Sequence, residues 1–468
     1  MKNREEARRG KQPGSFERNL AVKPSSGVSE ARRAAFDILR RVELESAYAA
    51  PLVLEAGERL RADDKRLCYE LTLGVLRRQL WLDHLIEHYA QRKVSTLDLG
   101  VLLALRLGLY QLRFLTRVPV SAAVNESVNL VHEARLRSSA GLVNAVLRRA
   151  AREPQYDPAM EATNEIERIA IETSHPAWLI ERWVERFGEI ETKALAEANN
   201  KTPPVAFRIN SLRADEEEVL EKIRADGGEL KESEIAPGAW RAEGASKVLR
   251  RLSLEGKIYL QDEASQLVAS VVNAQASERV LDVCAAPGSK TTHMAIESND
   301  QALIVAGDIH AHRLRVVGES VARQSLQSVR RVLFDAEREL PFVERVFDRV
   351  LVDAPCTGTG TLRRNPEIRW RITERNVAEL SGIQKRILAQ ASKHVRAGGR
   401  LVYSTCSVER EENEEVVKAF LDKHNDFAVL PRAVPANFRT GFGAARTWPH
   451  RHDTDGFFIV ALERKAVI

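Results

Sequence analysis

The chain has 468 residues, more than one hydrophobic core organises, so two to four domains are expected. Charged residues make up 29%, hydrophobic residues 44%, and the net charge is +5, the balance of a soluble globular protein whose mild basic bias suits a nucleic-acid partner. The four cysteines form no C-x-x-C pair and no zinc spacing, which excludes a disulfide scaffold and fits reduced thiols in the cytoplasm, and no uninterrupted apolar run reaches the roughly 20 residues of a membrane span.

Residues 1–27 carry seven basic and three acidic side chains among scattered Gly, Pro and Ser and lack the apolar core of a signal peptide; a disordered basic tail is expected. Residues 28–155 read as a helical bundle. Ser29 offers an N-cap to a helix with Phe36, Leu39 and Val42 on one face, and Leu67, Leu71 and Val75 recur at four-residue spacing with Cys68 beside them as a core residue. Leu82, Leu85, Ile86 and Tyr89 continue the core, and further helices are expected after Ser95, from Val120 and over 141–149. Arg135, Arg137, Arg148, Arg149 and Arg152 gather at the end of this unit; a solvated face accounts for them, and so does a surface for RNA phosphates. A helical linker follows over 156–203, with Trp178, Trp183 and Phe187 on one face, and Pro203-Pro204 ends it. Residues 204–262 mix short strands with a helix near 216–225 and a Gly227-Gly228 turn, a small α+β domain.

From 263 to 468, apolar β-branched runs at 280–284, 303–308, 329–335, 346–353 and 400–406 alternate with helical segments such as 384–395, and 456–462 adds a last strand. This is the pattern of a doubly wound, Rossmann-like α/β sheet, in which ligands sit outside the carboxyl ends of the strands. The first run leads into Cys284-Ala285-Ala286-Pro287-Gly288-Ser289-Lys290, with a helix expected from Thr291; small residues there let the backbone approach a ligand. No G-x-G-x-x-G is present. Carboxylates close the strands instead: Asp308, Asp335 and Asp353, with Asp282 inside the first run, and Asp308 lies 20 residues after Gly288, where this architecture places a ribose acceptor. Such a ring repels a pyrophosphate and favours a ligand with a cationic centre and hydroxyls, as S-adenosylmethionine has.

Two runs end at a thiol: Asp353-Ala354-Pro355-Cys356 and Tyr403-Ser404-Thr405-Cys406. On successive strands both open into one crevice. The pair suits methylation of an unreactive pyrimidine carbon: a thiolate adds to cytosine C6, C5 gains the density to attack an electrophilic methyl, and loss of the C5 proton expels the thiolate. One cysteine attacks and the other assists release, with Asp353 on the N3 side. In 363–371, Arg363, Arg364 and Arg369 interleave with Trp370, a pattern suited to splayed single-stranded RNA. His450 and His452 beside a turn read as surface residues, and no metal is expected.

These motifs, Ala285 to Thr291, Asp353 to Cys356 and Tyr403 to Ser407, resemble the NOL/NOP/Sun family of RNA cytosine-5 methyltransferases, and Thr454-Asp455-Gly456-Phe457-Phe458 is similar to that family's closing strand. The bundle, with Gly141-Leu142-Val143-Asn144-Ala145-Val146-Leu147-Arg148-Arg149, is similar to the NusB antitermination-factor fold. Together they resemble the bacterial branch that acts on cytosine 967 of 16S ribosomal RNA, over about residues 29–465. The resemblance implies S-adenosyl-L-methionine as cofactor, with Cys284, Ala285, Ala286, Pro287, Gly288, Ser289 and Lys290 around its methionine end, Asp308 on the ribose and Asp335 on the adenine edge. It implies Cys406 as nucleophile, Cys356 in release, Asp353 on the target base near the methyl donor, and Lys290 ordering the site. Arg148, Arg149, Arg363, Arg364, Arg369 and Trp370 are then the expected RNA contacts of a cytoplasmic monomer that meets 16S RNA before full subunit assembly and has no membrane or DNA partner. One departure is Ser289, where the family has Gly; at positive φ it would cost about 1 kcal/mol. Two other readings are a transfer RNA cytosine-5 methyltransferase and a non-catalytic, antitermination-like RNA-binding protein. The latter leaves both strand-end thiols unexplained, and DNA methylation through the Pro-Cys thiol leaves Cys406 without a role.

Overall fold

A computed structural model of the chain describes residues 27–466. The amphipathic segments at the start pack their apolar faces together as helices Glu30–Glu45, Ala62–Arg77, Gln79–Ala90, Leu99–Phe114, Val120–Glu133 and Ala140–Arg152. Leu39, Leu71, Leu82, Leu85, Ile86, Leu107, Val131 and Leu147 are buried at their centre. Arg106, buried in the apolar helix Leu99–Phe114, is compensated by both Asp83 oxygens at 2.7 Å and by Glu43 at 3.0 Å. Ser29 holds the N-cap position, but its hydroxyl accepts from Arg32 rather than from a helix N–H. The expected basic tail lies outside the described residues, apart from Gly27.

The segment read as a linker forms three helices, Glu165–Thr173, Ala177–Phe187 and Glu189–Ala198, which share a core with Leu362 and Val408 of the last domain. The small domain is an antiparallel sheet of β1 (Val205–Ile209), β2 (Glu229–Glu232), β3 (Ala239–Glu243) and β4 (Ile258–Leu260) in the order β2-β3-β1-β4. Helices Glu216–Ala225 and Ser246–Leu254 cover it through Val219, Ile223, Leu249 and Leu252.

The last domain holds β5 (Arg279–Asp282), β6 (Leu303–Asp308), β7 (Val329–Leu333), β8 (Phe347–Asp353), β9 (Val395–Thr405), β10 (Phe427–Val429), β11 (Ala445–Arg446) and β12 (Phe458–Arg464). The order is β10-β12-β9-β8-β5-β6-β7, with β11 on β12; β5 to β9 pair in parallel, and β12 runs antiparallel to β9. Side chains alternate between two helical layers: Val280, Ile304, Leu351 and Val402 face one, Leu281, Val305, Val350 and Leu401 the other. The chain winds outward from β5 to β7 and then returns to β8, so the switch point, and the crevice it opens, lies at β5 and β8. Several boundaries differ from the sequence reading: β5 ends at Asp282, β7 ends at Leu333 so that Asp335 lies beyond it, β9 ends one residue before Cys406, and β12 begins at Phe458. The helix expected over 384–395 spans Glu374–Ser392, and Val395 already belongs to β9; the helix after the small-residue loop begins at Ser289. No helix among the described residues is long and apolar enough to cross a membrane.

Candidate active site

The floor of the crevice is acidic. Asp282 ends β5 almost fully buried; Thr291 Oγ1 donates to one of its oxygens at 2.7 Å, and the other has no hydrogen-bond partner among the described residues. Burial, opposed by the Thr291 bond and reinforced by Asp353, pushes its carboxyl up to about 7. Gly288 turns the chain at φ +100°, and a Cβ there would lie 3.2 Å from the Val317 Cα, so glycine is required at this position. Ser289 is the first helical residue and has no positive φ; the cost expected from its departure from the family is absent. Burial, with Asp282, Asp353 and Asp308 around it, pushes the Cys284 thiol well up, which suits a crevice wall rather than a nucleophile. Asp308 Oδ1 accepts from the His310 N–H at 2.9 Å, and Arg313 lies 3.5 Å from its other oxygen. Asp335 caps its turn through the Glu337 N–H at 3.0 Å, with Arg338 at 3.1 Å. Asp282, Asp353 and Asp308 gather around Cys284, and such a set fits a ligand with a cationic centre and hydroxyls.

The register Asp353↔Ser404 brings the ends of β8 and β9 level. Cys356 Sγ and Cys406 Sγ lie 3.2 Å apart. Lys290 Nζ is 2.7 Å from Asp353 Oδ2, Ser404 Oγ donates to Asp353 Oδ1 at 2.8 Å, and the ammonium stands 5.4 Å from the centre of the Phe457 ring. Burial works against the Lys290 charge, but Asp353, Cys406 and Asp282 outweigh it and hold the ammonium above its usual range. The Cys356 thiol is pushed well up by its hydrogen bond to Cys406 and by burial, with Glu412 adding to both. All four cysteines are free. Cys284, Lys290, Asp353, Cys356 and Cys406 therefore meet in one crevice, as the sequence reading requires.

Beneath the sulfurs sits a carboxylate that the sequence did not single out. Glu412, fully buried, accepts from the Thr357 N–H at 2.9 Å, from the Thr357 and Ser407 hydroxyls, and from Gln384 Nε2 at 3.0 Å. In the sequence it lies within the acidic run Glu409 to Glu415, which is indistinguishable from a solvated face. Phe457, which stands over Lys290, lies in the closing-strand motif Thr454 to Phe458, but nothing in the sequence assigned it a role at the site.

The segment 363–371 corrects the RNA-contact expectation. Arg363 and Arg369 are buried. Arg363 pairs with Asp453 at 2.9 Å and Asp455 at 3.2 Å; Arg364 pairs with Asp262 at 2.7 Å and Asp455 at 2.8 Å. Arg369 donates to the Ser174 carbonyl at 3.0 Å and to Asn200 Oδ1 at 2.9 Å, and Trp370 Nε1 donates to the Leu76 carbonyl. Arg363 braces the last domain from within, Arg364 ties it to Asp262, and Arg369 and Trp370 tie it to the helices ahead of it. Arg148 remains exposed and donates to Asn144, whereas Arg149 is half-buried over Tyr89 and paired with Glu153. His450 pairs with Glu191 at 2.7 Å, and the described residues contain no group of His, Cys, Asp and Glu arranged for a metal.

Three family models match the chain: 16S rRNA methyltransferase RsmB/F over residues 269–463, the NusB family over 29–152, and a ferredoxin-like domain of RsmF/B-like methyltransferases over 175–249. A protein of Synechocystis named probable ribosomal RNA small subunit methyltransferase B is 36% identical, covering 93% of this chain and 99% of its own. One of the same name from Bacillus subtilis is 33% identical, covering 93% and 98%. The crystal structure of PH0851 is 30% identical, with a TM-score of 0.82 over 95% of this chain and 100% of its own. A methyltransferase homolog from Pyrococcus horikoshii is 28% identical, with a TM-score of 0.56 over 65% and 99%.

Proposed function

Because the chain belongs to the RsmB/F family of 16S ribosomal RNA methyltransferases, whose methyl donor is S-adenosylmethionine, we propose that it methylates C5 of a cytosine in 16S RNA, at position 967, through a covalent bond between Cys406 and C6. The observation that carries this reading is the 3.2 Å approach of the two sulfurs beside the Lys290–Asp353 pair, at the switch point of the sheet. In it, Asp308 receives the cofactor's ribose, Asp335 its adenine edge, and the Cys284 to Lys290 loop its methionine end.

S-adenosylmethionine supplies a methyl group on a sulfonium, electrophilic towards carbon. Cys406, as a thiolate, bonds to C6 of the base, and the displaced electron pair moves towards C5 and N3. Lys290 and Asp353 offset the charge that develops there: the ammonium lies close enough to Cys406 to respond to its charge, and Asp353 is fixed from two sides by Lys290 and Ser404. With the donor bound in the Cys284 to Lys290 loop, C5 would take its methyl group and the donor would depart as a thioether, keeping the electrons of the broken bond. Loss of the C5 proton to water restores the C5–C6 double bond and expels Cys406, and Cys356 assists that expulsion from 3.2 Å. Attachment to the ring trades one difficult displacement for two easier steps.

Cys406→Ala tests the reading. Methyl transfer to 16S RNA should fall by about 10³-fold or more, while S-adenosylmethionine binding by calorimetry and RNA binding by filter retention stay within about twofold; normal turnover would remove Cys406 from the chemistry.

A further inference from the structure

The two thiols lie at equivalent strand ends, yet the reaction asks opposite things of them: one must attack, the other must help the first to leave. We propose that Glu412 is the positioning residue that imposes this division, holding Cys356 against Cys406 as the proton-bearing partner of a nucleophilic sulfur. The inference rests on the covalent mechanism above.

Geometry is the first support. Glu412 reaches the residue after each cysteine: Thr357 through its N–H and hydroxyl, and Ser407 through its hydroxyl. Gln384 links the same carboxylate to the Pro355 carbonyl at 2.9 Å, the residue before Cys356. One side chain thus sets both turns, and with them the spacing of the sulfurs. Its own place is set from outside. The preceding Glu409, buried, accepts from Arg182 at 2.6 Å and Trp183 Nε1 at 3.0 Å, and Glu411 pairs with Arg182 and Arg186, so the turn Arg410–Glu412 is fastened to the helix Ala177–Phe187.

Charge is the second support. The Thr357 N–H and Gln384 Nε2 donate to Glu412, and the Thr357 and Ser407 hydroxyls are placed to donate as well; burial pushes its carboxyl up, and these bonds work against that shift, favouring the ionised form. A fully buried charge is a costly way to brace two turns when an amide would accept the same backbone hydrogen; the charge itself then has a use. The titratable groups facing Cys356 are Tyr403 from β9, Cys406 just past its end and Glu412 from the turn, with Asp353 and Lys290 completing the cluster. Among them Glu412 raises the Cys356 thiol, whereas the cation Lys290 lies within reach of Cys406. Cys356 so held gives its proton to the departing Cys406 sulfur as the C–S bond breaks and the C5 proton leaves to water, and it regains a proton from solvent afterwards.

The test uses the full chain. In a Cys406→Ser background, Glu412→Gln should move the midpoint pH of Cys356 alkylation by iodoacetamide downwards by about one unit or more, because the anion that opposes the thiolate is gone. With both cysteines present, Glu412→Gln should lower kcat by about tenfold or more while S-adenosylmethionine affinity stays within about twofold. Glu412→Asp and Ser407→Ala keep the carboxylate; kcat should fall several-fold with the alkylation profile held, and these two variants carry the test if Glu412→Gln does not fold. An unmoved alkylation midpoint in Glu412→Gln, or normal kcat in the variants that fold, overturns the assignment of Glu412. Full activity of Cys406→Ala would instead overturn the covalent mechanism on which the inference rests.

Discussion

Gly360 has no room for a side chain. Its N–H donates to the Cys406 carbonyl at 2.9 Å, its carbonyl accepts from the Gly456 N–H at 2.8 Å, and a Cβ would fall 2.0 Å from the Gly456 oxygen and 2.8 Å from the Cys406 oxygen. The loops that carry Cys356, Cys406 and Phe457 therefore meet backbone to backbone, which only glycine permits. Gly360→Ala forces these backbones apart. It should cost about 1–3 kcal/mol in denaturant unfolding and lower kcat more than S-adenosylmethionine affinity, since the sulfur pair moves and the Asp308 side does not. Wild-type stability with wild-type kcat would contradict the close packing described. At this scale the sequence was legible where chemistry shows in the residue type: thiols, strand-end carboxylates and a lysine. It was silent where a common residue acts through its surroundings, as Gly360, Glu412 and Ser404 do.

Strands and helices were legible because each apolar run matches the period of the layer it enters, as in Val280 and Leu281 facing opposite helical layers. Connections were not. The arginine-rich stretch after Cys356 has the composition of an RNA-binding loop, and only its distant partners, Asp262, Asp453 and Asp455, turn it into a clamp. Removing one member of a buried ion pair leaves the others uncompensated, so Arg363→Ala should cost about 3–5 kcal/mol and leave the salt dependence of RNA affinity unchanged. Arg148→Ala, on the exposed face of the helix Ala140–Arg152, should do the reverse: unchanged stability and a salt slope smaller by about 1. Denaturant titration and RNA binding across ionic strengths check both. A reduced salt slope for Arg363→Ala with intact stability would return that loop to the RNA surface.

The whole molecule joins its N-terminal helices to each thiol loop separately. The Cys356 side is tied to the bundle by Arg77 to the Arg363 carbonyl at 2.9 Å, Glu367 to the Ala49 N–H at 2.9 Å, and Arg371 to the carbonyls of Val42, Ser46 and Ala47. The Cys406 side is tied to the helix Ala177–Phe187 through Glu409 and Glu411. The bundle and the helix Ala177–Phe187 thus each brace one of the two thiol loops, so the helices ahead of the last domain help to set the spacing of the sulfurs. Everything downstream depends on both sulfurs serving one pyrimidine. Full-length Cys356→Ala, incubated with S-adenosylmethionine and 16S RNA and then digested with nuclease and protease, answers that directly by mass spectrometry. The account predicts that the peptide containing Cys406 carries a methylated cytidine mass, accumulating because the leaving sulfur lacks its partner. Normal turnover with no adduct, or an adduct on any other residue, would contradict it.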